Sequence, residues 1–269
     1  MSLRRLAVYA AALTLSAWVL APIGLIGLAA VTSREQLYRW PRPLWPQPIT
    51  LDTLAFFLRQ EGVLRALGNS LVVAGLTILL ATALSAPAGY ALARYPFRGR
   101  EAVQLGLLTT KMFPATALAV PLAVAFLRWG LYDTLVGVAL VHTALSVPFV
   151  VLIVASVFRG VSPELEEAAM SLGCNRLQAF WKVTLPMALP GLAAAAIFTF
   201  ILSWNEVFAA TLLTVNHRTL PALLVHSVVA EGAPLHYRYA GGFFLVLPAL
   251  VIIFLIRRYL LTLWGVTVR

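Results

Sequence analysis

Long apolar stretches alternate along the chain with short polar interruptions, many of them marked by proline. Six stretches, at approximately 6–31, 70–93, 103–127, 134–158, 186–213 and 240–261, reach the length of about 20 residues that a helix needs to cross the hydrocarbon core of a bilayer. The pattern predicts an all-α integral membrane protein with six transmembrane helices in a single domain over residues 1–269. The first stretch follows Arg4 and Arg5 as a signal peptide would. Its apolar run exceeds the roughly 7–15 residues of a signal core, and no clean cleavage site closes it, so a retained helix is expected. Every stretch holds a proline: Pro22, Pro87, Pro114 with Pro121, Pro148, Pro190 and Pro248. Proline removes a backbone donor and bends the helix. Two readings stay open, ordinary membrane-helix composition or bent helices around a cavity that opens on alternate sides.

Composition strengthens the membrane assignment. Hydrophobic residues make up 61% and charged residues 11%, and the mean hydropathy is +0.90. This excludes a disordered chain, a disulfide scaffold and a nucleic-acid-binding domain. The formal charge of +10, from 20 Lys+Arg against 10 Asp+Glu, reports orientation instead. Arg4, Arg5, Arg94, Arg98, Arg100, Arg159, Arg176, Lys182, Arg257, Arg258 and Arg269 lie on one side of the predicted spans. Arg34, Arg39, Arg42, Arg59, Arg65, Arg128, Arg218 and Arg238 lie on the other, 11 against 8, with Lys111 inside a span. Both termini are therefore expected in the cytoplasm. The single cysteine, Cys174, excludes an internal disulfide and a cysteine-based metal site. On the outer side, the Pro- and Trp-rich run from Trp40 to Pro48 suits a membrane interface or a docking surface. A short interfacial helix is expected over 50–65.

The loop at 159–185 carries the most information. Ser162-Pro163-Glu164 predicts a helix start, with Ser as N-cap, Pro in the first turn and acids at the positive helix end. Leu165, Ala168, Ala169 and Leu172 follow as one apolar stripe, and Gly173 interrupts the helix. Asn175 with Gln178 predicts a capping box for a second helix, which presents Leu177, Phe180 and Trp181 on one face.

Glu167-Ala168-Ala169, three residues, Gly173, nine residues, Val183, one residue, then Leu185-Pro186 resembles the EAA loop of binding-protein-dependent ABC importer permeases. Leu172 stands where that family often has Asp. Further resemblance to the carbohydrate (maltose/trehalose-type) group, in its shorter maltose-permease-like partner, lies in Asn69-Ser70-Leu71, Met112-Phe113-Pro114, Gly130 to Thr134, Ile201 to Glu206, Leu212 to Thr214 and Thr219 to Pro221. The resemblance implies a type I ABC importer permease fold with a cytoplasmic coupling helix, in a bacterial or archaeal inner membrane. It implies a non-catalytic chain that forms half of the pathway for a di- or oligosaccharide or a polyol. Its partners would be a second permease subunit, a different chain by this resemblance, two cytoplasmic P-loop ATPase subunits and an extracytoplasmic solute-binding protein. Carried over, Glu167, Ala168, Ala169, Leu172, Gly173, Leu185 and Pro186 would couple to the ATPase. Glu167 would make a charged contact, and Gly173 would allow the sharp turn. The stretch Arg218 to Arg238 would be an outer loop with a short buried segment touching the binding protein.

ATP and Mg would belong to the ATPase and no cofactor to this chain. A P-loop needs a Gly-Lys pair, whereas Lys111 and Lys182 follow Thr110 and Trp181. Within the spans, Trp204, Asn205 and Glu206 combine an aromatic face with planar hydrogen-bonding groups, which suits sugar, although Glu206 serves equally well to brace a neighbouring helix. Lys111 either snorkels or pairs between helices, or it contacts substrate. His142 reads as a packed, hydrogen-bonded group. No zinc-peptidase or G-x-S-x-G motif is present, and no metal site is expected. The alternatives are an ion-gradient-driven secondary transporter, which needs intramembrane carboxylates where only Glu206 is available, and an intramembrane hydrolase, which lacks a nucleophile–base pair.

Overall fold

A computed structural model describes residues 3–41 and 43–263, with side chains from Arg4 to Phe254. Arg42 and Arg269 lie outside the described residues, and Arg257 and Arg258 outside the described side chains. The helices are α1 (Leu3–Ala30), α2 (Arg34–Tyr38), α3 (Asp52–Arg59), α4 (Val63–Arg94), α5 (Arg100–Thr109), α6 (Ala119–Arg128) and α7 (Leu135–Arg159), followed by α8 (Pro163–Ser171), α9 (Arg176–Ala179), α10 (Leu185–Trp204), α11 (Phe208–Leu213), α12 (Leu220–Val229) and α13 (Leu235–Leu263). Among the described residues the only β pairing is a single bridge between Thr32 and Ile49. Among the described residues five helices are long and apolar enough to cross a membrane, and six spans result if one bent pair counts as one.

That bent pair corrects the third predicted span. Residues Arg100–Met112 and Ala115–Arg128 meet at 81° instead of forming one rod. Pro114 supplies no N–H, and it forces Phe113 into an extended conformation (φ −70°, ψ 126°), as the residue before proline prefers. The fifth span is corrected too. It runs as a helix only to Trp204 and restarts at Phe208, because the polar side chains of Asn205 and Glu206 take up nearby backbone groups. The second span begins earlier than expected, at Val63, and leaves only Asp52–Arg59 for the short helix before it.

The chain divides into two compact units, one of Met1–Arg65 with Leu223–Leu250, the other of Ala66–Ala222 with the chain from Val251. In the first, Phe57 is buried against the rings of Tyr237 and Phe244, at 4.9 and 5.5 Å. The missing side chain of Gly241 makes room for Leu224, whose Cδ2 would lie 2.3 Å from an added Cβ. The Arg34 guanidinium sits 5.0 Å above the Phe56 ring and 2.8 Å from His236 Nε2. The short buried segment expected within 218–238 lies at 219–224, mostly in the first part of α12, and the chain is exposed at 229–232.

The second unit is built around α7, which Thr134 caps by accepting from Gly137 N at 3.0 Å. Small residues set its neighbours close. An added Cβ at Gly89 on α4 would stand 2.9 Å from Ala155 N and 3.1 Å from Val151 O, which are backbone atoms that cannot yield. At Gly191 on α10 the obstacle is Val157, at 2.4 Å. Backbones therefore approach where large residues would hold them apart, as membrane helices commonly do. One apolar cluster lies at the start of α7, around Val138, Ala139 and Leu213. Another lies at its end, around Val154, Phe158, Ala188 and Leu192.

Candidate functional site

The loop between α7 and α10 is an elbow specified almost entirely by local sequence. Pro163 opens α8, yet the Ser162 hydroxyl donates to the Glu164 carboxylate at 3.2 Å and makes no backbone cap. At the other end the chain forms a Schellman turn. Gly173 N donates to Met170 O at 3.0 Å and Cys174 N to Ala169 O at 3.1 Å. Gly173 holds φ +94°, a region costly for any residue with a Cβ. The predicted capping box of Asn175 and Gln178 then starts α9. From Phe180 to Thr184 the helix widens into a π-turn, in which Leu185 N reaches back to Phe180 O, five residues away. Pro186 follows directly, so the widened turn absorbs the proline before α10 continues.

The predicted coupling residues divide between two faces. Glu167, Ala168, Leu172, Gly173 and Pro186 are exposed, Leu172 to 88%, while Ala169 is buried and Leu185 half-buried. The stripe Leu165, Ala168, Ala169, Leu172 does not turn inward as a unit. Glu166 and Ala169, one helical turn apart, form the inward face instead. Leu165, Leu172, Leu177 and Trp181 stand outward, whereas Phe180 turns inward from its expected face.

Glu166 is the residue that the sequence pattern missed. Its Oε1 accepts from Arg94 Nε at 2.7 Å and its Oε2 from the Tyr90 hydroxyl at 2.8 Å. Arg94 Nη2 also donates to Val161 O at 2.8 Å. Both side chains of this ion pair are only 10% exposed. Burial pushes the Glu166 carboxyl up, but the hydrogen bonds from Arg94 and Tyr90, with the charge of Arg94, outweigh it and hold it below the usual carboxylate range. The only sequence signals were an arginine ending the second span and an acid spaced three residues from Ala169.

Within the predicted membrane region, Trp204, Asn205 and Glu206 do not share one cavity. Trp204 is 1% exposed, its ring stacked on Phe200 at 5.4 Å, so it offers no open face to a solute. Asn205 is exposed, and its amide donates to Ile201 O at 2.9 Å. Glu206 braces two elements. One oxygen lies 3.0 Å from His142 Nε2, and the carboxylate accepts from the N–H groups of Ala209 and Ala210, which open α11. His142 Nδ1 lies 2.8 Å from Ser203 Oγ, so this histidine is a packed member of a polar network. Lys111 donates to Leu145 O, in the turn before Pro148, and its ammonium sits 5.1 Å from the centre of the Phe149 ring. It also lines a cavity of about 540 Å³ with Phe113, Phe126, Trp129, Leu140 and Phe208. Among the described residues no cluster of His, Cys, Asp and Glu could hold a metal.

A second clasp joins the start of α7 to the segment after α11. Asp133, at φ +56°, accepts from the backbone N–H groups of Val215, Asn216 and His217 at 2.8, 2.9 and 3.0 Å, and from the Asn216 amide. Burial raises the carboxyl pKa, but these four donors outweigh it and hold it well below the usual range. A depressed pKa means that the clasp is at full strength above the ordinary carboxylate value of 3.8 and is lost only as pH falls through the lower folded value. At pH 7, Asp133→Asn should speed amide exchange at residues 215–217 by about tenfold, read by mass spectrometry, because charge-assisted bonds become neutral ones. Unchanged exchange would show that the clasp rests on other contacts.

The comparisons with known proteins agree with this architecture. Residues 85–262 match the family described as the binding-protein-dependent transport system inner membrane component. A putative ABC transporter permease of Streptomyces antibioticus is 35% identical over 215 residues, which is 79% of this chain and 94% of the relative. The trehalose transport system permease protein of Mycobacterium tuberculosis (strain CDC 1551 / Oshkosh) is 31% identical over 219 residues, 80% of this chain and 80% of the relative. In fold, the chain is similar to a bacterial ABC transporter solved by crystallography and involved in the import of the acidic polysaccharide alginate. The TM-score is 0.77 with 22% identity, over 95% of this chain and 96% of that one.

Proposed function

The chain belongs to the family of binding-protein-dependent transport system inner membrane components, and from that premise we propose that it imports a sugar as one half of a permease pair. It is a multi-pass membrane protein of the ABC transporter permease type and works within a transporter complex. The cargo in this reading is a di- or oligosaccharide or a polyol. Relatives named for trehalose, diacetylchitobiose and alpha-glucoside transport support that class. The partners are a second, different permease chain, two P-loop ATPase subunits that carry ATP and Mg, and an extracytoplasmic solute-binding protein. The chain catalyses no reaction itself. Both termini lie on the cytoplasmic side of a bacterial or archaeal cell membrane, the side of the arginine-rich ends.

The observation that carries this reading is the elbow at Gly173, with Glu167 and the apolar side chains of Leu165, Leu172 and Leu177 exposed around it. Apolar groups ordered on a polar loop suit a groove in another protein. The ion-driven alternative finds no support at Glu206, whose carboxylate is engaged by His142 and the start of α11.

A tagged chain drawn from native membranes in mild detergent should bring down a P-loop ATPase and a second multi-span chain, identified by mass. A chain that comes down alone and transports in liposomes without ATP would overturn the proposal.

A further inference from the structure

The elbow is tied to the end of α4 from both of its helices, by Glu166 on α8 and by Arg176 on α9, which donates to the Tyr95 hydroxyl at 3.1 Å. Four segments meet at Tyr90, near the end of α4: its hydroxyl donates to Glu166 on α8, and its ring packs edge-on against Phe158 at the end of α7 and Phe180 in the π-turn, at 5.5 and 4.8 Å. One turn further along α4, Arg94 binds both Glu166 and the carbonyl of Val161, which precedes α8. A single guanidinium thus holds the helix and its lead-in together. Upstream, Gly89 seats α4 directly on the backbone of α7 at Val151 and Ala155. A buried charge pair of this kind, with both carboxylate oxygens engaged, contributes little net stability, but removing either partner strands the other charge.

We infer that Glu166 is a positioning residue that, through Arg94 and Tyr90, fuses α8 to the end of α4, so that a displacement of the exposed elbow reaches α4 as a rigid-body movement. This rests on the reading of the elbow as the ATPase-docking loop. Two adjacent glutamates then divide the work. Glu167 faces outward to the partner, and Glu166 faces inward and transmits what the partner does. Neighbouring residues on a helix point about 100° apart, so the pair serves two surfaces without conflict.

The test uses the assembled complex in lipid nanodiscs, with spin labels at Glu164→Cys on α8 and Leu84→Cys on α4 in a Cys174→Ser background. Distances are read by pulsed electron paramagnetic resonance without nucleotide and after trapping with ATP, Mg and vanadate. The expected result is one narrow distance, unchanged between the two states. With Glu166→Gln added, the distribution should broaden and shift between states by about 2 Å, the size of a helix sliding in a packed interface. Arg94→Lys keeps the charge but loses the fork, and should give an intermediate shift. The inference is overturned if the wild-type distance changes between states, or if Glu166→Gln leaves it narrow and fixed. It is also overturned if Glu166→Gln fails to assemble while Arg94→Lys behaves as wild type, since the pair would then serve folding alone. Absence of any ATPase from the purified complex would overturn the docking reading, and is scored before a label is attached.

Discussion

Replacing Gly173 with valine is expected to cut the ATPase recovered with the tagged chain by about tenfold or more, and nucleotide-driven transport with it. At φ +94° the backbone occupies a region that costs an L-residue about 1–2 kcal/mol, and a β-branched side chain more. Open space around the position gives no steric compensation or penalty, so the backbone conformation alone decides the outcome. Relaxing to a negative φ breaks both Schellman bonds, from Gly173 and Cys174, and turns α9 away from α8. The exposed Leu165 and Leu172 before the turn and Leu177 after it then lose their fixed mutual arrangement. Asparagine tolerates this region best among residues with a Cβ, so Gly173→Asn should retain a measurable fraction of the recovered ATPase. Glu167→Lys, which leaves the turn intact, should reduce recovery by reversing one exposed charge. Equal recovery with valine and asparagine would sink the conformational argument.

The second large effect is expected at Glu206. Truncation to alanine removes the acceptor for the Nε2–H of His142, a residue 1% exposed, and the acceptor for the two N–H groups that open α11. Stranding a buried donor and uncapping a helix together cost about 3 kcal/mol. For a chain of this size that corresponds to a melting temperature lower by about 5–10 °C, measured in detergent by intrinsic fluorescence. Glu206→Gln keeps one carbonyl acceptor and should lose less than half as much. A large loss of transport with an unchanged melting temperature would instead assign Glu206 to the solute pathway.

These two residues also mark what could be read from the chain in advance. Features written within a few residues were legible. The capping box of Asn175 and Gln178, the start of α8 at Pro163 and the turn at Gly173 each depend on backbone groups that local side chains satisfy or free. The apolar runs gave the helices, but not their breaks. The apolar pattern runs on through Phe113-Pro114 and resumes after the brief polar pair Asn205-Glu206, while helix continuity depends on individual N–H groups that an apolar average does not register. The pairing of Arg94 with Glu166 joins residues 72 apart, and that of His142 with Glu206 residues 64 apart. The linear motif singles out Glu167 but gives no inward partner for Glu166. The helical phase against α4 does, and it exists only once the helices have packed.

The bend in the third span determines what can surround the protein. Arg100–Met112 and Ala115–Arg128 each measure about 20 Å along the helix axis, too short to cross a hydrocarbon layer of about 30 Å alone; counted as one broken span, they place their junction between its two surfaces. Residues 112–118 are exposed at that junction, and part of their backbone is outside any α-helix. Acyl chains can neither donate to a carbonyl nor accept from an amide, and irregular backbone at that depth persists only against protein or water. For a single broken span, lipid is thereby excluded as the neighbour of Met112 to Leu118. A solitary copy of the chain in a bilayer would have to draw water in to meet that segment, and assembly with another subunit removes this demand by covering the segment or by enclosing the water that it needs.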